Sequence, residues 1–172
     1  MINDDKRSRN QIRKYSDSIV TCLDSQSPPV VLKKVLEYLE KELQLTIHTQ
    51  SRSLSDNLSG IYVRSNDTVG IMYNSNHSVN RQRFTVAHEF GHLVLGHAHK
   101  DPEHKEIGDI NSEDDQEREA NIFASELLMP FKWLKKDMKD KSFTTLELSL
   151  RYRVSELALG WRLSNSNALL LS

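Results

Sequence analysis

Apolar side chains recur every three or four residues in seven parts of the chain, and this spacing predicts α-helices. The predicted helices span about 11–23, 28–42, 79–95, 115–129 and 131–138, followed by two short helices that begin near 145 and 156. Helix ends are marked in the sequence. Ser27 stands before two prolines as the expected cap of the second helix, Gly96 follows the third, and Pro130 follows the fourth.

The apolar period changes to two between the second and third helices, which predicts strands at about 45–49, 60–64 and 69–74. Turn-forming residues at 65–67 separate the last two strands and predict an antiparallel hairpin. We therefore expect a small antiparallel three-stranded sheet, packed on the helices, in an α+β fold.

The overall composition adds limits. The chain has 172 residues with a net charge of -1, so no overall charge attracts it to nucleic acid or membranes. Basic runs at 1–15 and 132–153 and an acidic run at 101–119 are expected to be solvated faces. There is one cysteine, no signal-peptide pattern and no long apolar run. These features predict a cytoplasmic protein without membrane association.

The helix at 79–95 contains His88, Glu89 and His92 in the pattern HExxH. Residues four apart lie on the same side of a helix, so the two imidazoles can bind one zinc ion. Glu89 is one residue along, where it can take a proton from a water molecule without binding the metal. The flanking residues are apolar, and polar groups buried in such a helix are costly unless a metal satisfies them.

A third ligand is expected from the helix at 115–129. Glu117 lies on its apolar face, one turn before Ala120, whereas Glu119 lies on the side of Glu126 and is expected to be solvated. A catalytic zinc site uses three protein ligands, so His88, His92 and Glu117 complete a set. Asn121, four residues after Glu117, is placed to form a hydrogen bond to a ligand.

Other polar residues are interpreted more conservatively. His97, His99 and His104 follow in a polar loop and are expected to be surface histidines rather than ligands. Tyr152 is one candidate for a donor that stabilises an oxyanion, although a tyrosine here can equally be packed. The strand at 60–64 is a candidate edge for holding an extended substrate.

The two last helices begin at cap signals, a capping box from Thr144 to Glu147 and a second cap at Ser155. A short pair of helices of this kind resembles a helix-turn-helix. We favour a packed helical pair over DNA binding, because no face for reading bases is specified.

Four segments together resemble the ImmA/IrrE family of zinc metallopeptidases. They are RQRFTVAHEFGHLVLGH at 81–97, EREANIFASELLMP at 117–130, SGIYVRSNDTVGIMYN at 59–74 and LRYRVSELALGWRL at 150–163. The resemblance implies a zincin-like fold, zinc on the two motif histidines and a downstream carboxylate, and the motif glutamate as catalytic base. The position of that carboxylate in the family corresponds to Glu117.

The resemblance also implies a function. Family members act in bacteria and their mobile elements, where they typically cleave or antagonise a DNA-binding repressor of the helix-turn-helix type. The expected activity is therefore a zinc-dependent endopeptidase that relieves repression. The alternative is a non-cleaving anti-repressor or a toxin–antitoxin-type interaction protein with a structural zinc. Some members carry a further C-terminal sensor domain, and the sequence ends before one, so no built-in sensing is expected.

Three regions are expected on this basis. Residues 1–26 form a polar, partly helical N-terminal segment whose first eight or so residues are loose. Residues 27–130 form the metallopeptidase core, in which the sheet packs on the two helices that carry the metal ligands. Residues 131–172 form the helix-turn-helix-like element, packed on that core.

Overall fold

The computed structural model describes residues 7–97, 114–140 and 143–165. These residues form an α+β fold of seven helices and a three-stranded sheet. None of the helices in this part of the chain combines the length and the apolar character needed to cross a membrane. In order, the elements are α1 (Arg9–Cys22), α2 (Leu32–Leu43), β1 (Thr46–Arg52), β2 (Gly60–Ser65), β3 (Thr68–Asn74), α3 (Val79–Leu95), α4 (Asp115–Leu128), α5 (Phe131–Lys139), α6 (Thr145–Tyr152) and α7 (Glu156–Ser164).

Helix α3 spans the residues that its apolar period predicts. The Ser78 side chain accepts a hydrogen bond from the Arg81 amide at its start, and Gly96 ends it with a left-handed φ of 66°. The predicted start of α2 is wrong. Ser27 does not cap this helix, which begins at Leu32 without a side-chain cap. Helical angles are disfavoured before a proline, and Val30 is fully buried ahead of the helix.

The sheet is mixed, which corrects the expected all-antiparallel arrangement. Strand β3 lies in the centre, antiparallel to β2 in the predicted hairpin and parallel to β1. The apolar period of β1 fixes which side chains face the core, but it does not fix the edge at which a strand joins the sheet.

The connection from β1 to β2 crosses the end of β3, where the fully buried Asn74 organises it. The side-chain nitrogen of Asn74 donates to the carbonyls of Ser55 and Leu58, at 2.9 and 2.8 Å. Its side-chain oxygen accepts from the amide of Leu54 at 3.2 Å. These bonds satisfy the backbone of the crossing loop and fix the point at which β2 begins.

Helices α3 and α4 pack at very short range around Gly91. A Cβ atom on Gly91 would lie 3.1 Å from the Cα and carbonyl oxygen of Ala120 and 3.2 Å from the Cβ of Phe123. Phe123 and Ala124 of α4 are fully buried beside this contact. A glycine facing an alanine therefore lets the two helices approach closely.

A buried ionic cluster joins the first and last helices to α4. The carboxylate of Glu126 accepts from Arg9 at 3.2 Å, from Arg13 at 3.1 Å, and from Arg162. Arg162 is fully buried, and its burial lowers its pKa to about 10. Glu126 shares the side of α4 that was expected to be solvated. That side is instead covered by α1, and α7 supplies Arg162 to its carboxylate.

The glycine contact can be tested with a matched pair of substitutions. Gly91→Ala adds a methyl group against the Ala120 backbone, so we expect a net loss of about 1–3 kcal/mol in the free energy of unfolding. Gly160→Ala in α7 meets no atom within 4 Å. It should be neutral or stabilising by up to about 1 kcal/mol, because alanine favours a helix. Urea unfolding measures both, and a Gly91→Ala variant as stable as Gly160→Ala would contradict the close packing.

Candidate metal centre

Three of the predicted site residues meet at the contact between α3 and α4. The Nε2 atoms of His88 and His92 are 2.9 Å apart. Glu117 reaches them from α4, with its carboxylate oxygens 3.2 Å from His88 Nε2 and 3.5 Å from His92 Nε2. These side chains form a group that could hold a metal ion. His88 is buried, and His92 and Glu117 are partly exposed.

Asn121 fixes the orientation of the first histidine. Its side-chain oxygen lies 2.8 Å from His88 Nδ1. An amide oxygen only accepts, so Nδ1 of His88 carries the proton and Nε2 is left with a lone pair. Asn121 thus forms a hydrogen bond to His88, one of the two histidines expected to bind the metal.

The orientation of His92 is fixed by His97, which was expected to lie on the surface. His97 is buried, with its Nδ1 3.0 Å from Nδ1 of His92. The left-handed turn at Gly96 is the cause, because it folds His97 back until its amide donates to the His92 carbonyl at 3.0 Å. His99 and His104 lie outside the described residues.

The expectation that Glu119 is solvated is wrong, because this residue is only 3 % exposed. One of its carboxylate oxygens accepts from the Arg7 amide at 2.6 Å, and the other accepts from the Arg7 guanidinium at 3.0 Å. Burial alone raises the pKa of Glu119, but the hydrogen bonds from Arg7 outweigh it and lower that pKa. Arg7, at the end of the segment expected to be loose, is therefore held against α4.

Glu119 also sets the proton positions on the two histidines beyond it. Its carboxylate lies 3.2 Å from His97 Nε2 and accepts from it. Burial and the neighbouring His92 lower the pKa of His97 to about 4, so its ring is neutral and its Nδ1 has a lone pair. In the neutral ring, His92 Nδ1 then donates to His97, and its Nε2 carries the lone pair, 2.9 Å from His88 Nε2 and 3.5 Å from the Glu117 carboxylate.

The donor set fits a metal cation. Two imidazole lone pairs and a carboxylate converge at separations of 2.9–3.5 Å, and they repel each other unless positive charge lies between them. Burial lowers the pKa of His88, but the carboxylates of Glu117 and Glu89 reverse this effect and raise it. Burial raises the pKa of Glu117, but the two histidines outweigh it and lower that pKa. The site therefore favours a bound cation.

Glu89 stands next to this group without belonging to it. It is buried, and its burial raises its pKa. A Cβ on Gly60, the first residue of β2, would lie 3.6 Å from the Glu89 carboxylate. Tyr62 lies two residues along β2. Burial is the largest cause of its raised pKa, the neighbouring Arg64 lowers that pKa, and the charge of Glu89 raises it further. The edge strand therefore begins beside Glu89, with Tyr62 in its field.

Tyr152 was considered either as an oxyanion donor or as a packed side chain, and it is packed. It is fully buried, and its hydroxyl donates to the Asp137 carboxylate at 2.8 Å. Burial, with the charge of Asp137, raises the pKa of Tyr152 far above its usual range. Its hydroxyl is therefore committed to the contact between α5 and α6.

Comparisons with known proteins identify the family of this chain. No curated protein sequence gives a significant match. Among solved structures, a Mycobacterium tuberculosis transcriptional regulator is similar, with a TM-score of 0.64 and 12% sequence identity. The match covers 90% of this chain and 46% of that protein, so the chain spans under half of its length. The sequence profile of the IrrE N-terminal-like domain, the peptidase M78 family, matches residues 43–164, and the chain therefore belongs to this family, as its resemblance to ImmA/IrrE peptidases predicts.

Proposed function

We propose that the chain is a zinc-dependent endopeptidase that cleaves a protein partner. The observation that carries this proposal is the position of Glu89. This buried carboxylate of α3 lies beside three converging groups that could hold a metal, and beside Gly60 at the start of the edge strand β2. A purely structural metal site does not need a separate carboxylate at this position. The zincin-like arrangement expected from the sequence is part of the same proposal.

His88, His92 and Glu117 would hold the metal, and two imidazoles with one carboxylate are a donor set typical of catalytic zinc. Zinc in such a site supplies Lewis acidity, which polarises a peptide carbonyl and makes water more acidic. Asn121, His97 and Glu119 hold the two imidazoles in the tautomers that leave both Nε2 atoms unprotonated.

Glu89 carries the proton transfer in this mechanism. Its carboxylate accepts a proton from the water whose oxygen attacks the carbonyl carbon of the substrate. It then gives that proton to the nitrogen that leaves when the peptide bond breaks. The pKa raised by burial brings Glu89 closer to neutral pH, where a group can both accept and release a proton.

The outer edge of β2 is the proposed substrate platform. No strand of the described part of the chain pairs with this edge, since β2 lies at one side of the sheet. An extended peptide can add to it through backbone hydrogen bonds. Gly60 brings such a peptide close to Glu89, because a side chain at this position would collide with Thr85 at 2.6 Å.

Tyr62 is the proposed oxyanion donor in place of Tyr152. It shares a strand face with Gly60, whose missing side chain would point toward Thr85 and Glu89. Its phenol also feels the charge of Glu89. A phenol that stays protonated at neutral pH can donate to developing negative charge on the substrate carbonyl.

A DNA-binding transcriptional repressor of the helix-turn-helix type is the proposed protein partner. The resemblance to ImmA/IrrE peptidases supports it, and the regulator found among solved structures agrees with a regulatory setting. Direct DNA binding by this chain is disfavoured by its own charges. Arg151 pairs with Asp137 at 2.8 Å and Arg162 is buried on Glu126, so two arginines of the C-terminal helices are already neutralised.

Metal content and cleavage together test the proposal. Glu117→Ala should lose the zinc that the wild type retains, because two ligands from one helix remain. Glu89→Gln should retain zinc and lose about 10²–10⁴-fold in cleavage rate, because the proton acceptor is gone. Plasma emission spectroscopy measures the metal, and mass spectrometry of a panel of helix-turn-helix repressors detects fragments. Wild-type cleavage by Glu89→Gln would exclude this mechanism, and an intact, tightly bound repressor would favour the non-cleaving anti-repressor.

The role of His97 gives a separate prediction. His97→Ala and Glu119→Gln should each weaken zinc binding by about 10–100-fold, since both release the His92 ring from its required tautomer. His48→Ala, on the exposed face of β1, is the control and should bind zinc like the wild type. Competition with a zinc-binding dye gives the affinities. Equal affinities for His97→Ala and His48→Ala would show that His97 does not orient His92.

The two tyrosines can be separated by matched substitutions. Tyr62→Phe should lower kcat by about 10-fold or more while zinc affinity stays unchanged, because a single oxyanion donor is lost. Tyr152→Phe should leave kcat unchanged and lower the free energy of unfolding by about 1–3 kcal/mol, because the buried Asp137 loses a donor. The opposite pattern, with kcat lost only in Tyr152→Phe, would restore Tyr152 as the donor.

A further inference from the structure

A cavity of about 450 Å³, partly open to solvent, lies on the other side of α3 and is lined by residues of α2, α3, β1 and β3. Its walls are mainly apolar, with Val30, Leu36, Tyr73, Val86 and Phe90 among the lining residues. This volume and lining are typical of sites that bind small molecules. None of the roles assigned above to the metal centre or to the β2 edge uses this cavity.

The apolar surface continues to the mouth of the cavity. Val31 and Val79 both line it, and they are 47 % and 68 % exposed. Both stand at the starts of helices, α2 and α3, where polar caps are common. Exposed valines on the rim of an apolar cavity offer contact area to a ligand that reaches out of it.

The charged residues that line the cavity in the described part of the chain are all basic, namely Lys33, Arg83 and Arg153. Arg83 and Arg153 both line it, and no acidic residue is among its lining residues in the described part of the chain. Arg83 donates only to neutral carbonyls, those of Val30 at 3.1 Å and Arg153 at 3.3 Å. Burial and the charge of Arg153 lower the pKa of Arg83. Two like charges therefore lie close together, and no carboxylate among the described residues pairs with either of them.

We propose that this cavity binds a small amphiphile, with an apolar body against its walls and a carboxylate at Arg83 and Arg153. A partly buried guanidinium beside a like charge is destabilised, and an arriving anion relieves that cost. The planar guanidinium matches a carboxylate with two parallel hydrogen bonds. The apolar walls select a hydrocarbon body over a polar one, so the ligand class is a medium-chain fatty acid.

The cavity is separate from the metal-binding face of the same helix. Val79, Arg83, Val86 and Phe90 recur every three or four residues and share one face of α3. His92 is two residues beyond Phe90, about 200° around the helix. A ligand in the cavity would therefore pack behind the motif without touching the metal-binding groups, and its binding can be measured independently of cleavage.

Calorimetry with decanoate as the probe tests the proposal on the full chain, below the concentration at which decanoate forms micelles. Decanoate should bind with one molecule per chain. Decanol, butyrate and the Arg153→Gln and Arg83→Gln variants should each give binding at least about tenfold weaker, because a charge-assisted contact or the apolar contacts are lost. Arg64→Gln, at an exposed position of β2 that does not line the cavity, is the matched control and should bind decanoate like the wild type.

Three results would overturn the proposal. The first is no decanoate binding to the wild type, and the second is equal binding of decanol, which indicates apolar adhesion alone. The third is decanoate binding that survives both arginine substitutions but is lost in Glu117→Ala, which places the carboxylate on the metal. The Arg153 side chain is exposed, so Arg153→Gln decides the outcome even if Arg83→Gln fails to fold.

Discussion

The contact between Gly91 and Ala120 is the constraint on which the geometry of the candidate metal centre depends. His88 and His92 stand three residues before and one residue after Gly91, and Glu117 stands one turn before Ala120. The separation of the two helix backbones at this point therefore sets the separation of the three ligand groups. A side chain in place of Gly91 would push α4 away, and the spacing of 2.9–3.5 Å among the ligand atoms would be lost.

The helical period of α4 was sufficient to identify Glu117 but not to describe its other carboxylates. The period shows that Glu117 lies on the apolar side and that Glu119 and Glu126 share another side. It does not show what covers that other side. Helix α1 does, and a signal for it was present, because Arg9 and Arg13 are four residues apart and form one basic stripe opposite the carboxylates.

The position of His97 and the direction of β1 depend on the path of the backbone, which side-chain periodicity does not describe. Gly96 was identified as a helix stop, and a left-handed stop of this kind brings the next residue back onto the last turn. The contact of His97 with His92 follows from that geometry. The expectation that His97 belongs to a polar surface loop overlooked this contact. The direction of β1 had no such local signal, since its side-chain pattern is the same in parallel and antiparallel pairing.

The N-terminal segment neutralises buried charge on α4, which its polar composition alone does not reveal. Its arginines form ion pairs with two buried carboxylates of α4. Arg9 and Arg13 pair with Glu126, and Arg7 pairs with Glu119. Glu119 is in turn the acceptor that keeps His97, and through it His92, in the required tautomer. The basic run that opens the chain is thus the counter-charge of α4, and the docking of α1 and the geometry of the metal centre are linked through one carboxylate.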